Sequence, residues 1–430
     1  MTDNEKFDMF DEEGSEITNE NKPGEIKKPE SLLDALEINI SDPERRTTTK
    51  GSLKMQETYI VYMIESKPRD LENIDPMLEE VTAVWRRYSE FELLRNYLIV
   101  SYPAIVMPPL PEKRTTFIWT KISTDTFDPE FLERRRVGLE VFLRRICGFP
   151  KRDEIVMAFL KQEEGWRETV MATGYQAKAD SWLRTINASM RVKQPDSSFE
   201  ELKDYATEMQ SGIAAVLKAR SKIADRIYGL FKIHANYSRI FKDWGAIEDP
   251  KMADALRKVS LELEKMSSSI DLLMEEEELY AEQLKEYHNF ASSLKSIVKK
   301  HEALQYDVEY VESQLMSANV EKKQVSSGVD KGFNFGGMRA KLFGGDTPEQ
   351  KEIKLAKIDE NIHMLEQSAE TKRTAASTFS SEAKEEILQF KRRKQADLWE
   401  ILTNYVILQI KMSKETKATW TRFKAAIQAA

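Results

Sequence analysis

The sequence predicts a multidomain protein: an α+β domain built on a small antiparallel sheet, followed by an all-α region of three long coiled-coil helices. Two observations carry this expectation. Short β-rich runs bounded by polar turn residues crowd into the stretch that begins at Leu36. Past Pro195 only Pro250 and Pro348 interrupt the chain, and apolar residues there alternate spacings of three and four, the 3.5-residue period of a coiled-coil seam.

Taken in order, residues 1–30 are rich in Asp, Glu, Asn, Lys and Ser, with too few apolar side chains to offset the entropy of ordering them, and read as a disordered acidic tail. Phe7 and Phe10, set among Asp8, Asp11, Glu12 and Glu13, form a candidate docking motif, although ordinary residues of a floppy tail are the plainer account. Leu36 to Ile40, Thr58 to Ile64 and Val81 to Trp85 read as strands. Phe91, Leu94, Leu98 and Ile99 recur at helical spacing up to Tyr102-Pro103, and Leu139, Phe142, Leu143 and Ile146 mark one face of a second helix. Residues 36–165 are therefore expected to form one α+β domain, 171–195 a linker, and 196–430 the helical region.

In the middle helix Leu256, Val259, Leu263, Met266, Leu284, Tyr287, Leu294 and Val298 keep the seam, with Glu277, His301 and Gln305 as polar interruptions. From Met252 to about Val325 such a helix would reach roughly 110 Å. The first helix holds a stripe of Leu202, Met209, Ile213, Val216, Ile223, Ile227, Leu230 and Tyr237, broken by Arg220 and His234. Rods of this length are expected to dimerise to finish burying their seams.

Composition removes several function classes. A formal net charge of -8 argues against nonspecific attraction to nucleic acid. The single cysteine, Cys147, forms neither an internal disulfide nor a cysteine zinc cluster and fits a reducing cytoplasm; with Ile146 and Phe149 nearby it reads as core. No apolar run of roughly 18 residues appears and the N-terminus is acidic, so contact with a membrane is expected to be peripheral. His234, His288, His301 and His363 share no ligand spacing, no Ser-His-Asp order or Gly-x-Ser-x-Gly elbow is present, and neither an enzyme nor a cofactor is expected.

The most informative residues are Val84-Trp85-Arg86-Arg87-Tyr88-Ser89-Glu90-Phe91 and Pro108-Pro109-Leu110-Pro111-Glu112-Lys113-Arg114, which set cations around a proline-stiffened loop without supplying a nucleophile. Arg87 falls where a strand hands over to a helix, so its planar guanidinium is offered to a phosphate, and Tyr88 packs a sugar-like ring. Pro108, Pro109 and Pro111 restrict φ ahead of Lys113, which lowers the entropy lost when the loop closes on a ligand. Arg134, Arg135 and Arg136 complete the cluster. Singly, each is an ordinary solvated charge; together they point to a phosphate site.

These motifs, with Glu133-Arg134-Arg135-Arg136-Val137-Gly138-Leu139-Glu140, Asp225-Arg226-Ile227-Tyr228-Gly229, Tyr280 to Tyr287 and Lys341-Leu342-Phe343-Gly344, resemble the sorting nexins that join a PX domain to a BAR domain. The likeness spans nearly everything after the acidic tail. It implies a PX domain that binds phosphatidylinositol 3-phosphate and a BAR domain that dimerises into a curved membrane-contacting rod. Carried over residue by residue, it gives Arg87 to the 3-phosphate, Tyr88 and Ser89 to the inositol ring and its phosphate, Lys113 to the 1-phosphate, and Arg135 to the 4- and 5-hydroxyls. Arg134 and Arg136 stay open as alternatives to Arg135, because three adjacent arginines leave the helix register as arbiter. The resemblance further implies a homodimer or a heterodimer with a related nexin, a cytosolic place on early endosomes, cargo recycling and selective autophagy. A coiled-coil tether without specific lipid recognition is the alternative.

Two further segments are candidate membrane contacts. Trp182, Leu183, Ile186 and Met190 form an apolar stripe opposite Lys178, Arg184, Arg191 and Lys193, an interfacial-helix pattern that a linker helix packed on a domain would also show. Phe333, Phe335, Lys341 and Phe343 lie in a glycine-rich tip, which lacks the Gly-Lys-Ser/Thr of a nucleotide loop and reads either as a bilayer-pressing tip or as a solvated connector. Lys391-Arg392-Arg393-Lys394 and Lys218, Arg220, Lys222 and Arg226 are candidates for a membrane-facing side of the rod, or simply solvated faces.

Overall fold

The computed structural model describes residues 31–50, 55–69, 78–113, 128–149, 153–179, 192–327 and 348–428. The tail motif of Phe7 and Phe10, the linker stripe Trp182, Leu183, Ile186 and Met190, and the tip residues Phe333, Phe335, Lys341 and Phe343 lie outside the described residues.

The N-terminal domain opens with a short helix, α1 (Leu32–Ala35), and is organised by one long strand. β3 (Met55–Pro68) is rich in β-branched and aromatic residues and buries Val61, Tyr62 and Ile64. Its 14 residues pair antiparallel with all three other strands: β1 (Leu36–Ile40) at its C-terminal end, β2 (Glu44–Lys50) at its N-terminal end, and β4 (Thr82–Arg87) from Val61 to Ser66. β2 is an addition to the strands expected from sequence. Its Glu44-Arg45-Arg46 carries no apolar alternation, and the usable signal was the β-branched run Thr47-Thr48-Thr49.

β4 passes directly into α2 (Tyr88–Ser101), two residues beyond the expected end of the strand. The Arg87 backbone N–H donates to the Glu90 carboxylate at 2.7 Å, which fixes the turn from strand to helix. Glu90 also accepts from the Trp166 indole at 3.2 Å, so α5 (Trp166–Ala172) is held against the same corner. α3 (Pro129–Cys147) opens with Pro129 in its first turn and Asp128 accepting from the Glu130 and Phe131 N–H groups. It buries Phe131, Leu139, Phe142, Leu143, Ile146 and Cys147. α4 (Glu154–Lys161), capped by Asp153, supplies Phe159, which meets Phe91 and Trp166 edge to face at 5.1 and 5.0 Å.

Arg86, fully buried, belongs to this core. Its guanidinium donates to the Phe159 carbonyl at 3.1 and 2.8 Å and to those of Gln162, Glu163 and Trp85, closing the C-terminal end of α4. The rings of Phe159 and Trp166 flank it at 5.0 and 5.2 Å.

Three long helices follow, Ser197–Gly245, Pro250–Ser327 and Pro348–Gln428, of 49, 78 and 81 residues. The last two would each run about 120 Å. The first and third both pack on the second. Tyr280, Leu284, Tyr287, Leu294 and Val298 of the second share a core with Leu202 and Ala206 of the first and Phe379, Ile387 and Phe390 of the third.

The first helix departs from its expected stripe. Beyond Leu217, which still belongs to the shared core, its inward face is Arg220, Phe231, His234 and Ser238, whereas Val216, Ile223, Leu230 and Tyr237 are 46–50% exposed. The interruptions expected to weaken the seams complement each other instead: Arg220, 8% exposed, donates to Glu277 and, at 2.6 Å, to Glu278. Arg220 therefore does not share an outward cationic face with Lys218, Lys222 and Arg226. His301 stacks on Phe199 at 3.7 Å, and His234 lies edge-on to Phe231 and Trp420. Arg220 is tolerated in the interior because carboxylates pair with it and His301 because it stacks, whereas the buried Nδ1 of His234 has no hydrogen-bond partner among the described residues.

Candidate functional site

The candidate cations gather at the corner where β4, α2, α3 and the proline loop meet. Tyr88, the first residue of α2, donates its hydroxyl to the Pro111 carbonyl at 2.6 Å and so fastens the loop to the helix. Burial pushes this phenol up to about 12, which keeps it a donor. Arg95, one face further along α2, donates to the Pro108 carbonyl at 2.9 Å. The loop is held at both ends by side chains that sequence spacing did not connect.

Gly138 brings α3 against the same loop. A Cβ at this position would lie 2.8 Å from the Pro111 side chain, so only glycine allows the approach without a shift. One turn earlier, Arg135 is 8% exposed and donates to the Lys113 carbonyl at 2.5 Å. Its guanidinium carbon lies 5.0 Å from the Tyr88 ring and 4.3 Å from that of Phe131. Its Nε has no hydrogen-bond acceptor among the described residues, nor does the Tyr62 hydroxyl have a partner. Burial raises the Tyr62 hydroxyl pKa and the charge of Arg135 pulls against it.

The three adjacent arginines of α3 point to different tasks. Arg136 donates to Glu133, Glu140 and the Ile40 carbonyl of β1, and is committed to the sheet. Arg134 pairs with Glu130 at 3.7 Å and adds its charge to the field at Glu278 of the second long helix. Arg135 is the one that meets Tyr88.

Lys113 is exposed and lies 6.0 Å from the Tyr88 ring, with its ammonium donating to both oxygens of Glu92 at 3.2 and 2.9 Å. Arg87 lies over a different ring, Tyr59 of β3, at 3.3 Å. Ser89 is exposed in the first turn of α2, where backbone N–H groups have no intrahelical acceptor. Lys113, Arg135 and Tyr88 thus converge directly, while Arg87 and Ser89 flank Tyr88 in sequence and Arg87 makes its ring contact elsewhere. Glu92, Tyr59, Arg95 and Gly138 were missed. Tyr59 had a signal, as an aromatic residue of the strand expected from Thr58 to Ile64; the others depend on a loop path that periodicity does not encode.

Among the described residues this corner offers cations and an aromatic ring, an arrangement suited to an anion. Among the described residues no group of His, Cys, Asp and Glu is arranged to hold a metal, and no helix is long and apolar enough to cross a membrane.

Comparison with known proteins agrees with this architecture. Residues 77–163 match the model of the PX domain. The chain is similar to human sorting nexin-4 and to its mouse counterpart, each 45% identical over 91% of this chain and 87% of the relative. Sorting nexin-4 of Candida glabrata is 24% identical over 91% of this chain and 93% of its own. The cryo-EM structure of the SNX-BAR Mvp1 tetramer superposes with a TM-score of 0.58, 18% identity, and coverage of 90% of this chain and 99% of that one. With 45% identity to human sorting nexin-4 over 91% of this chain, a PX domain with a small antiparallel sheet, and long helices in the fold of an SNX-BAR protein, the chain belongs to the sorting nexin family.

Proposed function

We propose that this protein is a non-catalytic PX-BAR sorting nexin that reads phosphatidylinositol 3-phosphate on the cytosolic face of early endosomes and acts there in cargo recycling and autophagy. The observation that supports it best is the convergence of Lys113 and Arg135 on the Tyr88 ring beside Arg87. In this assignment Arg87 takes the 3-phosphate, Tyr88 and Ser89 border the inositol ring, Lys113 meets the 1-phosphate and Arg135 the ring hydroxyls. The supporting chemistry is the planar fork of arginine for a phosphate monoester and an apolar ring face for the inositol.

Dimerisation completes the proposal. The half-exposed stripe of the first helix and Trp399, Leu402, Val406 and Ile410 of the third, 49–67% exposed, leave large apolar side chains on the surface of the rod. An open groove of about 440 Å³ between Leu230, Met412 and Trp420 lies in the same region. A second copy or a related nexin would cover it. Linking two headgroup sites raises avidity by about 100-fold or more without new contacts.

The test is Arg87→Ala with soluble inositol 1,3-bisphosphate and with vesicles containing phosphatidylinositol 3-phosphate. Loss of binding to both supports the assignment, parental affinity for both removes Arg87 from the site, and a parent that binds neither favours a tether without lipid recognition.

A further inference from the structure

Arg145 occupies the last turn of α3, ten residues beyond Arg135 and about 15 Å along the helix. Its Nε and Nη2 donate to the two oxygens of Glu286 at 2.7 and 2.8 Å, and Nη2 also donates to Asp397 at 2.8 Å. Glu286 belongs to the second long helix and Asp397 to the third. One guanidinium from the PX domain therefore spans two helices of the rod. Tyr287 donates its hydroxyl to the same Asp397 carboxylate, and its ring lies 5.8 Å from the guanidinium. Burial raises the Glu286 carboxyl and the hydrogen-bonded Arg145 guanidinium pulls against it.

A second polar strut stands two helical turns along the same helix. Ser293, 7% exposed, donates its hydroxyl to the Met107 carbonyl at 2.6 Å, and Arg95 reaches the Ser293 oxygen at 3.5 Å while holding the Pro108 carbonyl. Between the struts Ala104 and Val106 enter the core cluster of the rod. The loop that ends at Lys113 is thus tied by Arg95 to the cleft side and by Ser293 to the rod. Apolar contact alone would hold the domains together in many rotations. A bidentate fork shared by two helices and a buried hydroxyl-carbonyl bond permit one.

Building on the headgroup cleft proposed above, we infer that Arg145 and Ser293 are positioning residues, which lock the PX domain in one orientation on the rod so that both clefts of a dimer meet the same bilayer. Binding energy from two linked sites is realised only where geometry lets both engage at once. The lock converts two separate headgroup contacts into one bivalent event.

The test uses the full chain with Arg145→Glu, Arg145→Glu/Glu286→Arg and Ser293→Ala, each checked for parental oligomeric state by light scattering. Soluble inositol 1,3-bisphosphate reads the cleft, and vesicles containing phosphatidylinositol 3-phosphate read the bivalent event. For Arg145→Glu the soluble affinity stays within about twofold and vesicle affinity falls tenfold or more; the charge swap recovers most of it. Spin labels on cysteines introduced at Lys161 and Glu382 broaden in their distance distribution for Arg145→Glu and sharpen again in the swap. If Arg145→Glu does not fold, Ser293→Ala carries the same comparison, with a smaller loss confined to vesicles. Unchanged vesicle affinity, or a loss the swap does not recover, overturns the lock. A parent that ignores the soluble headgroup overturns the cleft itself, a separate result.

Discussion

Two consecutive arginines, Arg86 and Arg87, are expected to give opposite phenotypes, and the size of each follows from what its guanidinium touches. Arg86→Met keeps most of the buried stem but removes every donor to the end of α4. The Phe159 carbonyl, which accepts two of those donors inside the core, is orphaned at a cost of about 1–3 kcal/mol. Gln162 and Glu163 are exposed residues, so water takes over at their carbonyls and adds little. Loss of the cation between Phe159 and Trp166 adds roughly 0.5–1 kcal/mol, and release of a buried charge offsets part of the total. The net is about 2 kcal/mol, which lowers the melting temperature of the PX transition by roughly 4–8 °C. Arg87→Ala, whose side chain lies on the Tyr59 ring, leaves that transition nearly unmoved and instead costs about 1.5–3 kcal/mol of headgroup binding, roughly 10- to 150-fold. Calorimetry and headgroup titration of both variants separate the two roles. Equal melting of Arg86→Met and the parent, or equal destabilisation by the two substitutions, would refute the reasoning.

Gly138→Val drives a side chain into Pro111 and is expected to cost about 1–3 kcal/mol and to weaken headgroup binding, as measured by melting and titration. Burial pushes the Cys147 thiol up to about 12, so alkylation at pH 8, followed by mass spectrometry, should proceed only after denaturation. His234 and His301 are held by burial below the ordinary value of 6.5 and are neutral in the rod. The unfolded chain takes up these protons first on acidification, so their contribution is present above pH 6.5 and is lost as pH falls through their lower folded pKa values. Urea unfolding should show a shallower loss across that window in His234→Gln than in the parent.

The coarse architecture was legible because its signals are periodic. Leu284, Tyr287, Leu294 and Val298 repeat over many turns, and a seam of that length outweighs local ambiguity. β2 was not legible, since its polar residues join the sheet through backbone pairing to β3 and bury little. At the site, the cations were visible as composition, but their division of labour was not. Arg86 and Arg87 are indistinguishable as letters; strand alternation sends one into the core and the other to a surface ring. Arg134, Arg135 and Arg136 are likewise sorted by a helical register that only the packing of Leu139 and Phe142 determines. Arg220 and Glu277, each read as a flaw in its own stripe, proved to be one feature, because pairing between helices has no signature within either sequence segment.

Lys113 has an internal counter-ion in Glu92. In the proposed headgroup site an incoming anion competes with this carboxylate for the ammonium. A singly charged phosphodiester gains little from such a trade, since it replaces one negative charge by another of equal size. A headgroup that brings a second, dianionic phosphate to Arg87 pulls the exchange forward through the other contact. If the proposed site holds, Glu92→Gln is expected to raise affinity for monoanionic lipids more than for phosphatidylinositol 3-phosphate in a vesicle-binding comparison.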